Sequence, residues 1–373
     1  MHVDRRTFLG VGGTALGATL AGCTGTGDTD RDATSATTDS SGGSYTVSMA
    51  PMGDVTFDSV PETWVANNGS YADMGLALGL DEPRALWLAN RWHTNYYDDI
   101  DGVSADKSDT ISLYQDGVSK ERFYSLGADV HVMDPNFLAN RFKGWSRSDV
   151  DDIAESVAPF FGNSIFSHTY AWHDSYRYYT LYEAFETVAG LFQREERYEA
   201  FATLHEEFQS KLESVAPTKH AERPRVAIVW ADGNQPTSFS PYLVGEGTSV
   251  KQWRDLNVRD AFAETDVRDF HASRGHVDYE TLLKIDPDYL LCRGHESQSA
   301  EEFENTVVSF MEDHPTASEL TAVRNGNVYR GGPLYQGPIS NLVLTERGAR
   351  QLYDRDEALF DRERVADIVA GSL

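Results

Sequence analysis

The sequence predicts an α/β fold in which two α/β lobes flank a central helical segment. Two observations carry this. From Ser44 onward, short apolar runs alternate with amphipathic stretches, as strands alternating with helices do. The stretch 174–215 breaks the alternation: it holds no proline and a single glycine. Its apolar side chains fall at Leu181, Phe185, Val188 and Phe192, then at Tyr198, Phe201, Leu204, Phe208, Leu212 and Val215, and spacings of three and four mark amphipathic helix. The polar run 193–197 divides this helix or bends it, Asp174 or Ser175 suits its N-cap, and Pro217 ends it.

Taken in order, residues 54–58 read as one strand of a small N-terminal hairpin. The first lobe should place strands at 64–66, 85–88, 111–114 and 130–133, with helices at 71–80 and 119–126 and after Asp134 and Ser148. The second lobe opens on a strand at 225–230. Helices follow at 249–256 and 279–284, a strand at 288–292, a helix near 300–312, a strand at 327–330, and closing helices at 341–353 and 362–369. Cys292 stands at a strand end after Tyr289-Leu290-Leu291, where a small buried side chain is expected. The lobes also carry an internal echo. Residues 119–130 and 278–289 each begin with a Glu at a helix start, Glu121 and Glu280, and run through an apolar residue and an Asp into a strand.

Ahead of the lobes lies an address. Arg5-Arg6 precede an uncharged run from Val11 to Gly22 that is too short to span a bilayer. Asp4-Arg5-Arg6-Thr7-Phe8-Leu9 resembles a twin-arginine export signal, and Leu20-Ala21-Gly22-Cys23 resembles a lipobox with Cys23 as the lipidated residue. Thr24 to Gly43 is almost entirely Thr, Gly, Ser, Asp and Ala, a flexible tether reaching roughly 25 Å. The expected organisation is therefore a signal peptide at 1–22, lipidated Cys and tether at 23–43, lobes at 44–173 and 218–373, and the helical segment at 174–217. With Cys23 lipidated, Cys292 is left alone and no internal disulfide forms.

Charge excludes several classes. Asp and Glu number 59 against 32 Lys and Arg, giving a formal net charge of −27. Of the cations only 7 are Lys and 25 are Arg, while Asp (34) exceeds Glu (25). A duplex-DNA binder needs clustered cations, and a lipid-docking patch needs them too, so neither fits. The balance suits a surface adapted to high salt, of haloarchaeal type, where screening within ~3 Å weakens self-repulsion; an acidic face for a cationic ligand is the other reading.

With the signal region, three further stretches carry a family likeness: 277–291 (beginning Val277-Asp278-Tyr279-Glu280), 320–329 (Leu320-Thr321-Ala322-Val323) and 335–342 (Tyr335-Gln336-Gly337-Pro338). Over roughly residues 45–373 the chain resembles the substrate-binding lipoproteins of ABC importers for iron-siderophore complexes and cobalamin. The resemblance implies two lobes bridged by a long helical spine, a ligand cleft between them, and small lobe movements. It also implies a monomer outside the cell membrane that delivers cargo to a permease dimer with its own ATPase subunits. Glu121 and Glu280 match the family's pattern of one permease-docking Glu on each lobe.

Ligand contacts in α/β lobes come from loops at the carboxyl ends of strands. Those ends carry Arg91, Trp92, His93, Tyr114, Asp116, Asp134 and Asn136, with Trp172 and His173 before the helical segment. In the second lobe they carry Trp230, Asp232, Asn234, Arg293, His295, Tyr335 and Gln336. Aromatic faces supply area and Arg forks bind carboxylate or catecholate oxygens, which suits an iron(III) chelate, with a corrinoid or haem as alternatives. A chelated iron needs no protein ligand and no cofactor. A bare metal bound by His93, Asp134, His173 and Asp232 is the rival, without His-x-His or Cys-pair spacing to support it. Enzymatic chemistry lacks its motifs: Gly245-Glu246-Gly247 is not followed by a phosphate loop, and no Gly-x-Ser-x-Gly elbow marks an exported hydrolase.

Overall fold

A computed structural model describes residues 37–38, 43–114, 118–173 and 175–373. The expected signal peptide, Cys23, nearly all of the tether, Asp116 and Asp174 lie outside the described residues.

Among the described residues three sheets organise the fold. An antiparallel ribbon joins β1 (Thr37–Thr38), β2 (Tyr45–Met49) and β3 (Gly53–Phe57). The first lobe holds a parallel sheet of β4 (Trp64–Ala66), β5 (Ala85–Leu86), β6 (Ile111–Ser112) and β7 (Val130–Val132) in the order β6-β5-β4-β7. The second is built on β8 (Arg225–Ala231), flanked by β9 (Phe239–Tyr242) and β10 (Arg259–Asp260) on one side and by β11 (Tyr289–Arg293) and β12 (Val328–Arg330) on the other. Every pairing there is parallel except that of β9. β4, β7 and β11 are mostly apolar and almost entirely buried, His131 and Arg293 being the polar exceptions, as burial on both faces favours. Cys292 is fully buried in β11, where burial pushes its thiol up to about 12.

β9 was not expected because Pro241 argues against a strand; it is tolerated because β9 lies at an edge and Pro lacks only a ladder donor. The central helical stretch begins later than Asp174. Thr180 and Glu183 form a reciprocal capping box that starts the Leu181–Leu191 helix, and residues 161–173 and 175–180 are irregular and rich in aromatics. Gln193 takes φ +50°, breaking the stretch before the helix Glu195–Val215. That helix, about 30 Å long, packs on Leu181–Leu191, on Gly69–Ala77 of the first lobe, and on the late helices Pro338–Tyr353 and Arg362–Ala370.

The seam between the lobes is held by two buried carboxylates served by adjacent tyrosines. Tyr96 donates its phenol to Glu296 Oε2 at 2.5 Å, Arg347 donates to both oxygens at 2.9 and 3.2 Å, and the Gly332 amide donates at 2.8 Å. Burial would raise the Glu296 carboxyl, but the Arg347 guanidinium holds it down at about 2. Tyr97 donates to Asp73 at 2.9 Å, and the same carboxylate accepts from the Ile339 and Ser340 amides at 2.8 and 3.0 Å. Asp73, from the first lobe, thereby caps the N-terminus of the Pro338–Tyr353 helix. Gly337 permits the approach: a Cβ there would lie 2.6 Å from Asp73 Oδ1.

Candidate ligand-binding cleft

A cleft of about 430 Å³ opens between the lobes. The first lobe lines it with Trp87, Arg91, Tyr114, Phe137, Arg141 and Tyr170. The second contributes Trp230 and Asp232 from the end of β8, Ser240 and Tyr242 from β9, and Phe270, His271 and Arg274 from the short helix Phe270–Ser273 and its cap. Tyr335 closes one wall. Five of the expected contacts are therefore on the cleft wall: Arg91, Tyr114, Trp230, Asp232 and Tyr335.

Local chemistry fixes these side chains. The Arg91 guanidinium lies 4.8 Å over the Trp230 ring, a cation–π contact reaching from one lobe to the other. Trp230 Nε1 donates to Asp232 Oδ1 at 2.6 Å. Behind it, Gly294 has φ +99°, and a Cβ would come 3.1 Å from Trp230 Cε2, so only glycine lets the indole lie against this backbone. Arg274 adopts the left-handed conformation that ends the Phe270–Ser273 helix and places its guanidinium 5.1 Å over Phe270. His271 is buried among Phe166, Tyr170 and Tyr242, with Nδ1 3.5 Å from Asp269 Oδ1. Burial lowers its pKa while Asp269 opposes that shift. Burial raises the Tyr335 phenol, and the adjacent Arg91 works against it. Arg91, Arg141 and Arg274 form no ion pair with any described residue, so a cleft with three cations and one carboxylate exists in a strongly acidic protein.

The other expected contacts stand elsewhere. Arg91 ends the short 3-10 turn Ala89–Arg91, Trp92 and His93 follow it in near-extended backbone, and the three side chains meet different surroundings. Arg91 meets the cleft, Trp92 is buried and donates to the Tyr97 phenol at 3.0 Å, and His93 lines a smaller adjoining chamber. Asp134 is sealed in the first lobe as the N-cap of Pro135–Arg141, accepting from the Asn136 amide, Ser164 and Tyr176 at 2.9, 2.7 and 2.7 Å. Trp172 stacks behind Tyr170 at 4.0 Å. His173 stacks on Tyr176 at 4.1 Å and shares a 2.7 Å hydrogen bond with Tyr178 through Nδ1; burial pushes its pKa to about 4. Arg293 is fully buried beneath the Tyr242 ring at 5.0 Å. The rival set of His93, Asp134, His173 and Asp232 is thus not assembled, and no group of three or more His, Cys, Asp or Glu among the described residues is placed to hold a metal.

Arg141, Arg274, Tyr170, Tyr242 and His271 were missed because none directly follows an expected strand. The usable signal was Asp269: an N-cap residue followed closely by Arg274-Gly275 marks a one-turn helix. A larger depression of about 700 Å³ lies in the second lobe, reaching from Arg225 to Lys284, but its Arg225 and Arg268 stand beside Glu264 and Asp266 with no Trp, Tyr or Phe in the lining.

A sequence model of the periplasmic binding protein family matches residues 65–334. No curated protein matches the chain. Among solved structures, a periplasmic binding protein from Veillonella parvula aligns with TM-score 0.58 at 15% identity, covering 84% of this chain and 99% of that one. The heme binding protein HmuT aligns with TM-score 0.56 at 17% identity over 83% and 90% of the two chains. The triscatecholate siderophore binding protein FeuA from Bacillus subtilis, complexed with ferri-bacillibactin, aligns with TM-score 0.52 at 14% identity over 78% and 92%. At these identities the likeness is one of fold. Among the described residues no helix is long and apolar enough to cross a membrane.

Proposed function

The chain belongs to the periplasmic binding protein family, and from that premise we propose that it is an extracytoplasmic solute-binding lipoprotein that captures an iron(III)-siderophore-type chelate and delivers it to an ABC importer. The observation that carries the ligand class is the cleft, where Arg91, Arg141 and Arg274 stand among Trp87, Tyr114, Trp230 and Tyr335. Guanidinium forks match carboxylate or catecholate oxygens, and the rings supply contact area around them. The structural likeness to a ferric-catecholate binder supports this reading. A haem or corrinoid is the second reading: His271 and Tyr242 reach the cleft wall, and the structural likeness to a heme binder favours it.

No protein ligand to iron is needed for a chelate whose coordination is already filled. The residues bind and orient: arginines neutralise the outer oxygens, Trp230, Trp87 and the exposed Tyr114 supply apolar wall, and Asp232 holds the Trp230 indole. Glu121 and Glu280 would register the loaded protein on the permease. Each is exposed in the first turn of a seven-residue helix, Lys120–Leu126 and Tyr279–Ile285, where the N-terminal backbone dipole favours a carboxylate. Cys23 would tether the protein after twin-arginine export.

Tryptophan fluorescence titration tests the cargo, because Trp87 and Trp230 line the cleft. Ferric catecholates and ferric citrate should quench strongly, with haem and cobalamin as comparison ligands. Tight binding of bare Zn²⁺ or Mn²⁺ with none of the chelates would overturn the reading.

A further inference from the structure

Past the arginine-lined cleft the groove between the lobes continues into a second chamber of about 180 Å³. The two spaces share Arg91, Trp230 and Leu334, so they form one groove divided by the stacked guanidinium and indole. The chambers differ in chemistry. In the smaller one the only carboxylate is Glu296, and its oxygens already serve Tyr96, Arg347 and the Gly332 amide. Its charge is thus neutralised within the protein. His93 is held neutral by burial, which pushes its pKa to about 4, and a neutral imidazole offers one N–H and one bare nitrogen. The side chains of Asn90, His93 and Ser297 take no hydrogen-bond partner among the described residues. Apart from Arg91, whose guanidinium lies over the Trp230 ring at the dividing wall, uncharged donors and acceptors therefore face a half-enclosed space equal to about six water volumes. An amide or hydroxyl group satisfies that lining; an anion gains nothing beside Glu296.

We propose that this chamber is a second subsite, which takes an uncharged, amide- or hydroxyl-bearing arm of the cargo whose anionic head occupies the arginine-lined cleft. The inference rests on the chelate reading given above. It makes Trp230, with Arg91 stacked on it, the divider that lines both spaces.

Two probes separate head from arm: the iron(III) complex of 2,3-dihydroxybenzoate, compact and anionic, and that of 2,3-dihydroxybenzoyl-serinamide, which adds an uncharged arm. The wild-type protein should bind the armed complex at least tenfold more tightly. Ser297 is exposed at the chamber wall, so Ser297→Trp fills the space without entering the core. That variant should lose the tenfold preference while keeping its affinity for the compact complex. His93→Ala should reduce the preference severalfold with the compact complex again unaffected. Equal affinities in the wild type, or an equal loss for both complexes in Ser297→Trp, would overturn the subsite and leave the chelate reading standing. Failure of the wild type to bind either complex would overturn both.

Discussion

Arg141 ends the Pro135–Arg141 helix and Arg274 caps the Phe270–Ser273 helix, and both are exposed at the cleft with no ion pair among the described residues. A cation left unpaired in an acidic protein stays available to a ligand anion, and a charge-assisted hydrogen bond is worth about 1.5–3 kcal/mol. Arg141→Gln combined with Arg274→Gln should therefore weaken ferric catecholate binding by at least tenfold, with thermal stability nearly unchanged; an unaltered dissociation constant in calorimetry would remove these arginines from the site. Gly294 gives a second prediction. Gly294→Ala should cost about 1–3 kcal/mol, because it places a Cβ at φ +99° against the Trp230 ring. Urea unfolding measures the cost, and the emission of the displaced indole should shift. The triplet Arg91-Trp92-His93 shows why sequence located the cleft's edge but not its lining. The end of a strand is legible from the apolar run before it, whereas the direction of each successive side chain depends on φ and ψ values that packing decides.

The elements were more legible than the residues, because periodicity reports burial directly. The Val130–Val132 and Tyr289–Arg293 strands and the two glutamate-bearing helices before them all stand where apolar runs and turn residues placed them. The beginning of the Pro338–Tyr353 helix was harder to read, since its cap comes from Asp73, distant in sequence. That long-range cap also makes a pH prediction. Burial raises the Asp73 carboxyl from 3.8 to about 6, opposed by the Ile339 and Ser340 amides. A folded-state pKa above the unfolded one contributes stability that is full below about pH 3.8 and lost as pH rises through about 6. Glu296 runs the other way: depressed from 4.5 to about 2, it contributes above pH 4.5 and is lost as pH falls towards 2. Between pH 6 and 4.5 the Asp73 contribution should therefore grow while that of Glu296 holds. The gain from Asp73 is at most about 3 kcal/mol. Asp73→Asn should remove this acid-side gain in urea unfolding measured across that range; an unchanged pH dependence would show that Asp73 does not titrate there. Glu296→Gln should instead flatten the loss below pH 4.5.

Across the whole molecule, a net charge of −27 repels anything acidic at long range, yet the proposed cargo is itself anionic. The fold reconciles these facts by gathering Arg91, Arg141 and Arg274 around the cleft, so the local field there differs in sign from the total. The same contrast governs docking. Most carboxylates here are solvated, and a partner surface cannot read a particular orientation from total charge alone. Glu121 and Glu280 differ from the rest by position: they occupy corresponding first turns on the two lobes, each one residue into a helix that leads to a sheet strand. Two points on a body define an axis, and the carboxylates at the seam, Asp73 and Glu296, tie the lobes that carry them. If these two charges register the protein on the permease, Glu121→Ala with Glu280→Ala should leave chelate affinity within twofold of wild type and lower uptake by at least tenfold. Removing two other exposed acids, Glu155 and Glu312, changes the net charge equally and should leave uptake intact. Uptake lost in both double variants would point to total charge, and uptake kept in both would remove the glutamates from the docking surface.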